Sequence, residues 1–486
     1  MQLGKFEIKR NLKSNLIYLV VNAVCLFVVY KLIIDRLGKD ALGTWSVLFS
    51  FLVVIINSGS ATNTDLTRKY LENYDRLDRY FIGNLLLNSF ALYVTYFLFY
   101  VLIIFSAFHF FIPNILYENL TAVLVMLAGI FFGMLNFAFS AILDASKLNY
   151  IKNRLSTISV LFFLAASFFL ISRKLGILGI SIAYGMQFLT LFVLLLFSIF
   201  KRFNPSIKLS YLSLAKMKNL IKSGWKLQII SLLTISYDPI TKYFLLQTST
   251  LSFIARFEIV SRLSNQVRSL LISSNQTLLP NLLGLDFNGG DNSFFKKIFN
   301  HNFKLTLLFF SFLLISIPLF EWVLFGEATF LMFSMALILV PGILFNILSV
   351  PFYFYFIVNN KLEKPLWSHI TIVLINIILP FILLGVNDLF HFSPNYNGLF
   401  VISFWSFALI AGSIVLTNNY MNIAIGILKE DRGAYRYFLY YLTCCLCLGF
   451  SIFISDNSLL ILGVMSVVSL FIIWREKYIL LSLNKN

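Results

Sequence analysis

The sequence predicts an all-α polytopic membrane protein of about 14 transmembrane helices, built as two pseudo-symmetric six-helix lobes and a C-terminal helix pair. Three observations predict it. The 486 residues are 59% hydrophobic and only 12% charged, whereas soluble domains are about one-quarter charged. Apolar runs near 20 residues recur from end to end, and each is long enough to cross roughly 30 Å of hydrocarbon. Lipid admits only helices or closed barrels, and barrel strands alternate where these segments run continuously apolar. Finally, the net charge of +17 is collected in short connections, which is a signature of topology and not of nucleic-acid binding.

In chain order the spans fall at 14–34, 44–64, 81–112, 119–143, 154–172, 176–200, 224–246, 251–283, 303–322, 328–357, 366–385, 397–420, 437–455 and 458–474. Span 1 follows the polar start MQLGKFEIKRNLKSN with no small-residue cleavage site, so it serves as its own insertion signal. Span 2 places Ser46, Ser50, Asn57, Ser60 and Thr64 on one face. Span 4 carries Gly129-Ile-Phe-Phe-Gly133, a close-packing motif, followed by Asn136, Ser140 and Asp144. The connection 201–223 is basic and polar and reads as an amphipathic linker at the inner surface. It separates an N-terminal lobe (1–200) from a second lobe (224–420), which residues 421–486 follow as an extra helix pair and tail. The lobes share a weak repeat: LKSN (12–15) and IKSG (221–224) each open a span with a lysine near its far end, Lys31 and Lys242. Cys25, Cys444, Cys445 and Cys447 lie in apolar runs without metal-binding spacing, and the four histidines form no cluster, so no metal or catalytic residue is expected.

Of the 38 lysines and arginines, 29 fall at the N-terminus, in the even-numbered connections and at the C-terminus. Six fall on the other side, and Arg256, Arg262 and Arg268 lie inside span 8. By the positive-inside rule both termini are cytoplasmic and the number of spans is even. The external loops, of which HFFIPNILYEN, EWVLFGEA and GVNDLFHFSPNYNG are the longest, are too short to house an active site.

Span 8 raises the functional question. Drawn as a helix, it places Glu258, Arg262, Asn265, Gln266, Ser269, Ser273 and Gln276 within about 100° of arc, opposite a face of Leu, Ile and Phe. Arg256 and Arg268 fall off that stripe. Span 7 repeats the habit with Ser231, Thr234, Asp238, Thr241 and Lys242, and span 10 with Asn346, Ser349 and Tyr353. Polar faces turn away from lipid, so several in one bundle imply a polar lumen. Asp238–Lys242 and Glu258–Arg262 are i, i+4 pairs. The candidate lumen residues are Lys31, Asn57, Lys242, Arg256, Arg262 and Arg268. The five cations among them, set against Asp238 and Glu258, leave a surplus of three that favours an anion, and the guanidinium fork suits phosphate oxygens. The alternatives are ordinary. Lys31, Lys242 and Arg268 can snorkel to headgroups, Arg256 can sit at the outer interface, and hydroxyl and amide stripes commonly bond between helices. Asp238 and Glu258 are the coupling-ion candidates, for H+ or Na+. Asp238 is followed by Pro239, which frees a carbonyl and permits a hinge; the alternative is a plain Asp238–Lys242 pair.

RLGKDALGTWSVLFSF (36–51) after span 1, LGILGISIAYG (175–185) opening span 6, the aspartate in YDPITKYFLL and the basic linker after span 6 resemble the polysaccharide-transporter branch of the multidrug/oligosaccharidyl-lipid/polysaccharide (MOP) exporter superfamily, most closely the Wzx-type O-antigen flippases. The resemblance departs after span 7, where an aromatic, glycine-rich family pattern reads TSTLSFIARFE. It implies a MATE-like fold in a bacterial inner membrane that moves undecaprenyl-pyrophosphate-linked oligosaccharide by alternating access through a cationic cavity. It also implies no cofactor, and partners in a polysaccharide polymerase and a chain-length regulator. Two other readings stay open. A drug/cation antiporter of the same superfamily would use twelve spans and an acidic lumen. An O-antigen polymerase or other membrane enzyme would need a long external loop with catalytic Arg or paired acids.

Overall fold

The computed structural model describes residues 5–59, 79–111, 113–146, 148–276, 293–327, 329–359, 361–390 and 393–417. Within them the chain forms 13 α-helices and one 3-10 turn. The helices are α1 (Lys5–Leu37), α2 (Lys39–Ser58), α3 (Arg79–Phe111), the short α4 (Pro113–Glu118), α5 (Leu120–Ala145), α6 (Asn149–Ser172) and α7 (Gly176–Phe203). They continue with α8 (Leu214–Thr248), α9 (Leu251–Gln276), α10 (Ser293–Phe325), α11 (Phe330–Val358), α12 (Glu363–Phe390) and α13 (Pro394–Thr417). Apart from α4, these are the first twelve expected spans in order. Spans 13 and 14, with the 421–486 segment, lie outside the described residues. Nine helices among the described residues are long and apolar enough to cross a membrane: α1 to α3, α5 to α7, and α11 to α13. The protein is a multi-pass membrane protein. α8 and α9, with their internal charges, do not meet that measure, and α10 holds a shorter apolar stretch, Phe312–Phe325.

The chain divides into two compact units, Met1–Tyr243 and Phe244–Asn486. The boundary falls inside α8. In the first unit α2 packs on α3, α2 and α3 pack on α5, α5 on α7, and α6 on α7. In the second, α9 packs on α10, α9 and α10 on α11, α11 on α13, and α12 on α13. Counted by span, both units therefore pair second with third, second and third with fourth, fourth with sixth, and fifth with sixth. Of the other pairings in the first unit, α1 on α6 has a small counterpart in the second. There Phe244, in the last turn of α8, meets Phe381 of α12 edge-on, with ring centroids 5.2 Å apart.

Small residues set the tightest of these contacts. A Cβ on Gly129 of α5 would overlap the Cα of Gly185 in α7, and one on Gly133 would run into Ile56 and Phe188. The close-packing motif thus brings two helix backbones together, where dispersion replaces the hydrophobic drive that lipid cannot supply. The corresponding contact of the second unit, α11 on α13, is made the same way. Gly342 leaves no room for a Cβ beside Ser406, and its N–H donates to Ser406 Oγ at 3.1 Å.

The connection after α7 is shorter than the sequence suggests, because α-helix resumes at Leu214; only residues 204–213, with the 3-10 turn Leu209–Tyr211, lie between the two helices. Asn204 ends α7 in a left-handed conformation, φ 42°. The segment is tied to the first turns of α3. Ser206 N–H donates to Arg79 O, Arg79 Nε to Asn204 O, and Asn88 Nδ2 to Tyr211 O, while Ser213 N–H donates to Asn88 Oδ1, each at 2.9 Å.

Candidate functional site

The charged residues singled out in the sequence gather into four ion-paired groups, each within a single unit. On α1, Lys31 Nζ lies 2.8 Å from Asp35, and both side chains are substantially exposed. On α8, Lys242 Nζ lies 2.8 Å from Asp238 Oδ2. The lysine side chain is 0% exposed and the aspartate 30%, so the pair presents its carboxylate outward and its ammonium inward. The same Nζ donates to Ser46 O of α2 at 3.4 Å. α8 is anchored on α2 a second time where the buried Gln228 amide donates to Ser58 O and, at 3.3 Å, to Tyr100 Oη of α3. Asn57, half-buried, precedes Ser58 on the last turn of α2.

α9 carries the other two groups. Its start is capped by Thr250, whose hydroxyl accepts from Phe253 N–H at 3.2 Å. One turn further, Arg262 Nε donates to Glu258 Oε1 at 2.6 Å, with Glu258 buried and Arg262 28% exposed. The i, i+4 spacing read from the sequence is therefore a formed pair.

Arg256 is built differently. Its Nε donates to Glu321 Oε1 at 3.3 Å, its Nη2 to Glu327 Oε1, and its Nη1 to Ser252 Oγ at 2.9 Å. The guanidinium also lies 4.9 Å from the Phe325 ring centroid. Glu321, near the end of α10, is 0% exposed and accepts further from Thr329 N–H at 3.1 Å and Thr329 Oγ1 at 2.5 Å. Gly326, at φ 73°, ends α10 with its N–H on Trp322 O, the left-handed stop that glycine permits. That turn sends the chain back so that Glu327 reaches Arg256 while staying 43% exposed.

This correction matters to the charge count. Asp238 and Glu258 were the acids expected deep among the spans, yet Glu321 is as buried as either, and Asp35 and Glu327 also pair with candidate cations. The surplus of three disappears: Lys31, Lys242, Arg256, Arg262 and Arg268 stand against Asp35, Asp238, Glu258, Glu321 and Glu327. Arg268 lies within electrostatic reach of Tyr353 and His369, whose rings meet edge-on at 5.9 Å. Both were outside the candidate set, though Tyr353 stood on the expected polar stripe of span 10.

In the observed contacts the hydroxyls of these stripes bond within their own helices, where the sequence offered bonds between helices as the ordinary alternative. Ser50 and Ser58 of α2, Thr234 and Thr241 of α8, and Ser349 of α11 donate to carbonyls three or four residues back in their own helices.

No protein-family model matches the sequence, and neither does any curated protein sequence. Solved structures do match. A lipid II flippase, MurJ, in an inward closed conformation aligns with a TM-score of 0.67 at 15% identity over 96% of this chain and 99% of its own. An inward-facing multidrug resistance MATE transporter aligns at 0.62 and 14% over 85% and 99%. A MOP superfamily transporter from Pyrococcus furiosus, described as having a binding pocket of reverse polarity, aligns at 0.57 and 15% over 86% and 97%. The fold is that of the MOP superfamily transporters. Identity this low shows the fold alone, but it agrees with the all-helical, MATE-like architecture that the sequence predicts. By chain order α9 is the second of the last six described spans, and it carries the arginines of two of the ion-paired groups.

Proposed function

We propose that the protein is a flippase for a lipid-linked, diphosphate-bearing oligosaccharide, of the undecaprenyl-pyrophosphate type, working by alternating access in a bacterial inner membrane with both termini cytoplasmic. The observation that carries this reading is the arginine series on α9: Arg256, Arg262 and Arg268 recur every six residues, or about 9 Å of helix rise. Each step is also about 240° of turn, so the three guanidinium groups differ in side as well as in depth, and each offers a fork matched to phosphate oxygens for a diphosphate held at more than one depth. The likeness to a lipid II flippase over nearly the whole chain supports the same reading. Its role is transport and not catalysis, and Asp238 or Glu258 takes the coupling ion, H+ or Na+. A polysaccharide polymerase and a chain-length regulator are the proposed partners.

The second reading is export of organic cations. The balance of charge favours it, since five candidate cations stand against five carboxylates and leave no net attraction for an anion, and the likeness to a multidrug transporter is of similar strength. One experiment separates the two. In a deletion strain carrying the full-length gene, Arg262→Ala should abolish surface polysaccharide with protein level unchanged, and Arg262→Lys should restore it in part, because a point charge replaces a fork. Full polysaccharide in the alanine variant, or loss of drug tolerance with polysaccharide intact, would overturn the flippase reading.

A further inference from the structure

We propose that Glu327 is an internal anion occupying a phosphate-binding edge of Arg256, and that the substrate's diphosphate takes its place there; this rests on the flippase reading.

The four ion-paired groups differ in what displacement would cost. Removing Asp238 from Lys242 leaves a fully buried ammonium, and removing Glu258 from Arg262 leaves a buried carboxylate. Both strand a charge where water is scarce. On α1, Lys31 and Asp35 are largely exposed, so their pair is weak and carries little selectivity. Arg256 has two carboxylates in the observed contacts, and they are unequal. Glu321 is buried and held by three donors: Arg256, the Thr329 hydroxyl and the Thr329 N–H. It stays, fixes the guanidinium by its Nε, and neutralises it. Glu327 is the more exposed carboxylate, sits just after the glycine turn, and bonds the outer Nη2. When it moves off, Arg256 is still paired with Glu321.

The three charges also sum to −1 when all are ionised, so Glu327 is held against a net repulsion from Glu321. What holds it is geometry: a guanidinium has five N–H donors, and Glu321 and Ser252 use two of them in the observed contacts. The Nη2 edge is thus a preformed site for a second anion, with the Phe325 ring covering a face of the guanidinium. A phosphate oxygen on that edge makes the hydrogen bond that Glu327 makes now. Glu327 then sets the affinity from within, because the ligand must compete with a tethered carboxylate. A transporter needs such a device, since a diphosphate bound without competition would not leave.

The test uses the purified full chain in phosphatidylcholine nanodiscs, with inorganic pyrophosphate and undecaprenyl pyrophosphate as separate probes in calorimetric titration. If Glu327 occupies the edge about nine-tenths of the time, Glu327→Gln should tighten binding about tenfold. Glu327→Asp, which keeps the charge on a shorter arm, should fall between. Adding Arg256→Gln to Glu327→Gln should cancel the gain. A loss of pyrophosphate affinity in phosphatidylglycerol discs that is larger for the native chain than for the Arg256→Gln/Glu327→Gln variant would identify lipid phosphate as a second source of the same chemistry. Unchanged or weakened binding in Glu327→Gln, at an unchanged melting temperature, would overturn this proposal. If undecaprenyl pyrophosphate still binds the native chain and loses affinity in Arg262→Ala, the flippase reading survives that failure. Binding of neither probe to any version would overturn both.

Discussion

Helices α2 and α9 hold corresponding places in the two units, each packed on the next helix and on the fourth of its set, yet they bury different chemistry. Between Ala41 and Ser58, α2 has no charged residue, and its buried Ser46, Ser50 and Ser58 lie among aliphatic and aromatic side chains. α9 buries Arg256 and Glu258 and carries Arg262 and Arg268 as well. The same pairing is thus reached with and without charge. What the two units share where the fourth span meets the sixth is small residues: Gly129 against Gly185, and Gly342 against Ser406. Shape suffices for the packing at those contacts, and the ions of α9 add a desolvation cost that α2 does not carry.

The sharpest way to break this comparison is at Lys242, which brings a charge from α8 to the carbonyl of Ser46 in the uncharged stretch of α2. Asp238→Ala strands a fully buried ammonium and should cost about 3–5 kcal/mol, read as a fall in melting temperature of the purified protein. The double variant Asp238→Asn with Lys242→Gln should recover most of that loss. Its transport then decides the role of Asp238: normal flux in an energised membrane removes it as the coupling site and leaves Glu258, whereas failure as complete as that of Asp238→Asn alone assigns the coupling ion to it.

A smaller effect sharpens the equivalence of the units. Gly129→Ala and Gly342→Ala each force a methyl into a helix contact and should destabilise by about 1–3 kcal/mol. Similar falls at both positions would support the shared role of the two contacts; a fall at only one would break it. The smallest effects come from the central residues of α2 and α9. Ser50→Ala gives up a bond to the helix's own Val47 carbonyl and should change stability by less than about 1 kcal/mol. Glu258→Ala should cost about 1–2 kcal/mol, between the surface and buried limits, because Arg262 is partly exposed. If Ser50→Ala costs as much as Glu258→Ala, the contrast between the two helices fails.

Most of the helices were legible because apolar length is a local property. Spans expected at 119–143, 154–172, 176–200 and 328–357 appear as Leu120–Ala145, Asn149–Ser172, Gly176–Phe203 and Phe330–Val358. Span 7 was read ten residues short, because 214–223 is too basic to look like part of a span yet continues the helix. At the site, legibility followed sequence separation. Glu258–Arg262 and Asp238–Lys242 are four residues apart, and helical periodicity alone brings such side chains together. Glu321 and Glu327 lie 65 and 71 residues from Arg256. Within EWVLFGEA they read as two acids of a short external loop. Only the packing of α9 with α10 and the turn at Gly326 turn them into partners, and the apparent excess of positive charge was the trace of that missing information.

The tethered segment 204–213 bears on how the gene could be divided. A single cleavage after the exposed Lys208 would separate α7 from α8 covalently. The new C-terminal piece would still hold Tyr211 and Ser213 on Asn88, Lys216 on Asn84, Gln228 on Ser58 and Tyr100, and Lys242 on Ser46. Those contacts all lie inside the first unit and run along much of α8. Two polypeptides, 1–208 and 209–486, therefore carry the means to reassemble when co-expressed. The point where a conventional linker would be cut to free two domains is here a place where the chain can be nicked and α8 stay attached to the helices it left.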